Sequence, residues 1–238
     1  MAAIIHAIIY KLYVNVFYPY FWSISTEVKK NLKEQKVTKN VDNIYKAVYF
    51  TISSAFCIYF MNQATFLPWF MGGFSKSYNL KNMYENYPLV KRVPGLPEFY
   101  LACSGYHIWG TYKHLTAKKK RNDFLEMCLH HFLTLSLFVG GHMMGDIYSG
   151  LIIVYIMDFC DIWVHFAKGF CDTTFKKTTD FMGVCMWFFW FYTRLVCLPY
   201  CIYWMLFVYP FELPNMSGSY EGNLYFFKGS LLSILGIM

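Results

Sequence analysis

Residues 126–141 read EMCLHHFLTLSLFVGG. His130 and His131 stand side by side in a run that is otherwise rich in Leu and Phe. An ionisable side chain near the centre of a membrane-spanning helix costs about 3 kcal/mol on insertion scales, so such groups persist where they face a cavity or one another. The stretch therefore predicts a membrane helix that carries chemistry, and it raises the question of which groups the histidines meet.

The composition of the whole chain also favours a membrane protein. Its 238 residues are 57% hydrophobic and 22% aromatic, and only 15% are charged, whereas soluble globular chains carry roughly 25% charged residues. The net charge of +7 comes from basic residues in short connections between apolar runs, which argues against nucleic-acid binding. The eight cysteines form no CxxC pair, and this excludes a zinc ribbon or a disulfide framework.

Seven segments are candidate membrane helices, since a helix needs about 20 residues to cross the hydrocarbon core. They are 3–24, 43–64, 97–113, 123–143, 146–167, 179–209 and 222–238. The sixth is too long for one plain span, and Pro199 predicts a kink in it. The sequence therefore predicts an all-α integral membrane protein with about seven spans.

Polar side chains form stripes on the fourth and fifth of these helices. Glu126 and His130 lie one turn apart on the same face of the fourth. Asp158, Asp161 and His165, at spacing i, i+3 and i+7, form a single stripe on the fifth. Because the two helices are neighbours in the chain, we expect both stripes to face the same end of the bundle.

Histidine and aspartate have a clear joint use in apolar surroundings. A carboxylate orients an imidazole and stabilises its cation, and the imidazole then acts as a general base or as a nucleophile. The alternatives are a structural polar contact between helices and a single metal ion held by one histidine with the two aspartates. None of the seven histidines forms an HxxxH pair, so chemistry by the side chains themselves is favoured.

The two stretches and their spacing resemble the Lag1 motif of ceramide synthases, in the TLC (TRAM–Lag1–CLN8) family. RNDFLEMCLHHF at 121–132 and MDFCDIWVHFAK at 157–168 carry the resemblance. The flanking stretches MYENYP, KKKRNDFLEM and FYTRL are also similar to the family. The resemblance implies a TLC domain, a six-helix bundle, at 43–238, preceded at 1–42 by an N-terminal membrane or interfacial helix and a basic linker.

The resemblance also implies an activity and its residues. It implies an endoplasmic-reticulum enzyme, a sphingosine N-acyltransferase that joins a fatty acyl-CoA to the amine of a sphingoid base. Its catalytic residues are then His130, His131, Asp158 and Asp161, and its substrate-binding residues Glu126, His165, Lys168 and Tyr148. No metal and no cofactor beyond the acyl-CoA co-substrate is expected, and membrane lipid is the expected surrounding partner.

Departures from the family pattern leave a second hypothesis open. Met157 stands where many members have His, and His165 stands where an acidic residue is expected. Since a fold alone does not imply catalysis, the alternative is a catalytically inactive, lipid-binding accessory subunit of a larger membrane complex, for example in the mitochondrial inner membrane. The presence of all four His and Asp residues favours the enzyme. An oligomer, with copies of this chain or with other subunits, is compatible with either hypothesis.

Overall fold

The computed structural model describes residues 1–76, 78–84, 92–117, 124–143 and 145–205, and these residues are almost entirely helical. The helices are α1 (Ala2–Ile24), α2 (Lys30–Gln63), α3 (Leu96–Leu115), α4 (Phe124–Met143), α5 (Ile147–Phe170) and α6 (Lys176–Phe191), followed by a π-helical turn (Tyr192–Cys197) and α7 (Leu198–Tyr203). Short 3-10 helices lie at Trp69–Met71 and Leu80–Tyr84. The prediction of an all-α membrane protein is confirmed.

Five helices in the described part of the chain are long and apolar enough to cross a membrane. They are α1, α2, α4, α5 and the continuous stretch Lys176–Tyr203. The predicted third span is present as α3, but it is not among the five, because Glu98, Lys113 and several Tyr and His side chains lower its apolar character. The predicted seventh span, 222–238, lies outside the described residues.

Most exposed side chains of α6 are apolar, whereas the exposed side chains of a soluble helix are mostly polar or charged. Val184 is 69% exposed and Trp187 71% exposed, and Phe181, Phe188 and Phe191 are exposed with them. Large apolar patches on a soluble monomer are rare. This surface is therefore suited to contact with lipid tails.

Helix α2 begins at Lys30, thirteen residues before the start predicted from hydropathy at residue 43. The segment predicted as a basic linker is therefore mostly helical. Lys, Glu and Gln have high helix propensity, and Val37 and Val41, one turn apart, are buried. Tertiary packing of this pair extends the helix beyond its apolar part.

The chain divides into two compact units. The first contains the described residues within 1–6, 58–152 and 201–205, and the second contains residues 7–57 and 153–200. In the second unit, Phe21, Val37, Val41 and Ile44 form a buried cluster, with Phe166 and Phe170 of α5 against it.

An ion-pair group in the second unit joins the turn after α1 to the turn after α5. Lys36 Nζ lies 2.9 Å from Glu27 Oε2 and 3.3 Å from Asp172 Oδ1. The Asn40 side-chain amide donates to the Cys171 carbonyl at 2.8 Å. The hydrogen bond from Lys36 lowers the pKa of Glu27 below its ordinary value.

In the first unit, α3, α4 and α5 approach closely around one tyrosine. Tyr100 is almost fully buried, and its ring lies 4.9 Å from that of Phe138. A Cβ atom at Gly150 would lie 2.6 Å from the Tyr100 hydroxyl, and one at Gly141 would lie 2.8 Å from it. The two glycines therefore make room for the tyrosine.

We expect Gly150→Ala to lower the free energy of unfolding by about 1–3 kcal/mol, since overpacking forces side chains and backbone to shift. Gly183→Ala is the matched control on α6, because no atom of the described part of the chain lies within 4 Å of a Cβ built there. The control should be neutral or stabilising by up to about 1 kcal/mol, from the reduced backbone entropy of the unfolded chain. Thermal unfolding in detergent measures both, and equal midpoints would contradict the packing described around Tyr100.

Candidate functional site

The histidine pair lies on α4 in the first unit. His130 and His131 are both half-buried, and their ring centroids are 5.8 Å apart. Neighbouring helical residues point about 100° apart, so the two rings occupy different positions around the helix. The Thr134 hydroxyl donates to the His130 carbonyl at 2.9 Å. The pair thus has two half-buried imidazoles on an otherwise apolar helix.

Helix α3 adds histidines that the sequence reasoning did not use. The His114 ring lies 5.6 Å from that of His131, and the His107 ring lies 5.1 Å from that of Phe138. His107 is also an electrostatic neighbour of both His130 and His131. The sequence did indicate that His107 and His114, seven residues apart, share one face of a helix. That this face meets the histidine pair on α4 depends on how the two helices pack.

Of the two predicted substrate-binding residues in the first unit, one is exposed and the other is buried. Glu126 is exposed in the first turn of α4. Tyr148 is buried, its ring lies 5.2 Å from that of Phe66, and its hydroxyl accepts a hydrogen bond from the Val93 amide at 3.2 Å. Tyr148 thus anchors the segment before α3, and the substrate-binding roles of both residues stay predictions.

Asp158 lies on α5 in the second unit and is almost fully buried. The Ser53 hydroxyl on α2 donates to Asp158 Oδ2 at 2.6 Å. Hydrogen bonds to a carboxylate are stronger and shorter than neutral ones. Ser53 therefore fixes the orientation of this carboxyl group, and sequence reasoning missed it because 105 residues separate the partners.

Asp161, one turn further along α5, is surrounded by cations. Arg194 Nη2 lies 3.9 Å from Asp161 Oδ1, and Lys46 and Lys168 are its further electrostatic neighbours. Arg194 belongs to the π-helical turn, a geometry often found at functional sites. The Thr193 hydroxyl in the same turn donates to the Phe189 carbonyl at 2.8 Å.

His165 and Lys168 complete the predicted residues on α5. His165 Nδ1 is hydrogen-bonded to Asn43 Oδ1 at 2.8 Å, and its ring stacks on Phe50 at 5.4 Å. Because the amide oxygen only accepts, Nδ1 of His165 carries the proton. Lys168 is exposed in the last turn of α5 rather than in the following connection.

The histidines belong to the first unit and the aspartates to the second. The pairing of an imidazole with Asp158 or Asp161 stays a prediction from the sequence. Within the described ranges, no group of three His, Cys, Asp or Glu side chains is placed to hold a metal ion.

Ser53 and the adjacent Ser54 allow a matched test of the bond to Asp158. Both are buried, but the Ser54 hydroxyl has no hydrogen-bond partner among the residues that the structure describes. We expect Ser53→Ala to lower the free energy of unfolding by about 1–3 kcal/mol, since it leaves a buried carboxyl group without its donor. Ser54→Ala should be near neutral in the same denaturation assay, and the reverse order would contradict the assignment of this bond.

Residues 39–238 match the TLC domain family, and the match covers most of the chain. The chain belongs to the TLC domain family. The resemblance found in the sequence is thereby confirmed, and the exposed apolar surface of α6 agrees with an integral membrane TLC protein.

Several curated relatives of this TLC protein are named for one activity, ceramide synthesis. The Caenorhabditis elegans ceramide synthase hyl-2 is 26% identical over 208 residues, 85% of this chain and 60% of that protein. The Arabidopsis thaliana ceramide synthase LOH2 is 24% identical over 225 residues, 90% of this chain and 71% of that protein. The Schizosaccharomyces pombe sphingosine N-acyltransferase lac1 is 29% identical over 134 residues. Mouse ceramide synthase 3 is 26% identical over 134 residues, which are only 35% of that protein.

Proposed function

We propose that this TLC protein is a ceramide-synthase-like N-acyltransferase, which joins a fatty acyl-CoA to the amine of a sphingoid base within the membrane. One observation carries the proposal: the half-buried pair His130–His131 on the apolar helix α4. Similarity to proteins named ceramide synthase along most of the chain supports it.

The imidazoles supply the acid–base chemistry of this reaction. The carbon–sulfur bond of the thioester breaks and a carbon–nitrogen bond forms. One histidine removes a proton from the attacking amine, or attacks the thioester first and holds the acyl group. A positioned general base contributes about 10²–10⁴-fold to the rate.

The carboxyl groups of α5 have the supporting role. A carboxylate that accepts from an imidazole keeps the ring in one tautomer and stabilises its cation. Asp158, held by Ser53, is the better oriented of the two candidates. Asp161 shares its surroundings with Arg194 and Lys168, so its charge is partly balanced.

The remaining predicted site residues are assigned to substrate binding. An acyl chain gains about 0.8 kcal/mol for each methylene removed from water. The exposed Lys168 attracts the phosphates of CoA from the aqueous side, and Glu126, His165 and Tyr148 are proposed to contact the substrates. The proposal requires no metal and no further cofactor, and it places the protein in the endoplasmic-reticulum membrane.

The test is reconstitution of the purified protein in liposomes with palmitoyl-CoA and sphinganine, with the amide product measured by mass spectrometry. Parallel reactions contain a long-chain alcohol in place of sphinganine. Amide formation that requires the amine supports the proposal. Ester formation alone would identify a different acyltransferase, and no product at all would favour a non-catalytic TLC subunit.

A further inference from the structure

His114 lies between the histidine pair and the end of α3. Its ring is 5.6 Å from that of His131, which in turn is 5.8 Å from that of His130. His114 is half-buried, and the residues that follow it, Leu115 to Ala117, are exposed. The three half-buried rings are therefore successive neighbours, from His130 through His131 to His114 near the exposed end of α3.

The surroundings of His114 hold its ring in one orientation. The ring stacks on Phe124 at 4.9 Å with 19° between the planes, and Nε2 lies 3.3 Å from the Phe124 carbonyl oxygen. Since a carbonyl oxygen only accepts, Nε2 carries a proton and Nδ1 is the acceptor of the neutral ring. Gly110 on α3 lies beside His131, because a Cβ built there would be in ordinary van der Waals contact with His131 Cε1, at 3.9 Å.

The proposed reaction produces a proton that must leave the site. An alkylammonium group has a pKa of about 10.4, so the sphingoid amine arrives protonated, and a thiol has a pKa of about 8.5, so CoA leaves as the thiol at neutral pH. The nitrogen loses two protons when the amide forms, and the sulfur takes one. One proton for each turnover therefore has to pass from the half-buried histidines to water.

We infer that His114 relays this proton from His131 to water at the exposed C-terminal end of α3. This inference rests on the proposed function. One bridging water joins the two imidazoles, since a water-mediated contact is nearly as favourable as a direct one. His114 Nδ1 takes up the proton, and the resulting cation releases it beyond the end of the helix. The charged groups nearby are Lys113 on α3, whose Nζ lies over the Trp109 ring at 5.3 Å, and the exposed Glu126 on α4.

The test compares purified wild type, His114→Ala, His114→Gln and His142→Gln in liposomes with palmitoyl-CoA and sphinganine at pH 7. Glutamine keeps the hydrogen bond to the Phe124 carbonyl but cannot carry a proton. His142 is the matched control, an exposed histidine in the last turn of α4. Each reaction is run with and without free imidazole.

We expect both His114 variants to lower kcat by roughly 10–100-fold with unchanged KM, below the full effect of a general base. Imidazole should restore most of the rate of His114→Ala, and His142→Gln should match wild type. A wild-type rate in His114→Gln, or a loss in His114→Ala that imidazole does not recover, would show a structural role and overturn the relay. No turnover in wild type would instead overturn the proposed function itself.

Discussion

Replacement of the histidine pair is expected to have the largest effect on activity. His130→Ala or His131→Ala should lower kcat for ceramide formation by about 10²–10⁴-fold, the contribution of a positioned general base. Both side chains are half-buried on α4, so their removal leaves no large cavity in a tight core. The measurement is the steady-state rate with palmitoyl-CoA and sphinganine.

Comparison of His130→Ala with His131→Ala also shows which of the two histidines reacts directly with the substrates. Adjacent residues on a helix cannot both reach one reacting atom, so one variant should lose far more activity than the other. His142→Ala serves as the control on the same helix, where the side chain is exposed. Two variants that keep wild-type turnover, with unfolding midpoints unchanged, would remove the histidines from the mechanism.

Asp158→Asn is expected to have the second largest effect, a fall in kcat of about 10²-fold or more. The amide oxygen still accepts from the Ser53 hydroxyl, so the local structure is retained. In the predicted His–Asp pairing, the substitution removes the negative charge that would stabilise the imidazolium, and each unit by which the imidazole pKa falls corresponds to about 1.4 kcal/mol.

Asp180→Asn is the matched control for Asp158→Asn, because Asp180 is an exposed aspartate on α6. The control should keep the wild-type rate, which shows that loss of one carboxylate charge from the second unit is harmless in itself. Equal rates in Asp158→Asn and wild type would mean that the predicted His–Asp pairing plays no part in catalysis.

The sequence predicted the parts of the fold that depend on local pattern. Helices α4 and α5 lie within a few residues of their predicted bounds, because their apolar runs are long and have clear ends. The start of α2 was missed, since hydropathy carries no signal for a polar helical turn that packs through Val37. At Pro199 the sequence predicted a kink, and the structure has a π-helical turn that ends two residues earlier, at Cys197.

The partners of the candidate site could not be predicted in the same way. Ser53 and Asn43 are ordinary polar residues of a long helix, and only tertiary packing brings them to Asp158 and His165. Arg194 stood in the family-like stretch FYTRL, yet its contact with Asp161 depends on the packing of α5 against the π-helical turn. Local sequence identifies which groups are costly to bury, and the fold decides which of them meet.

The most direct measurement of the central claim is the ratio of CoA thiol released to amide formed by the reconstituted wild-type protein. N-acyl transfer predicts one thiol for each amide in the steady state. When sphinganine is left out it predicts no amide and at most one thiol for each protein molecule, from an acyl-histidine formed once. Continuous thiol release over many turnovers, without the amine and without amide, would show thioester hydrolysis and contradict the account.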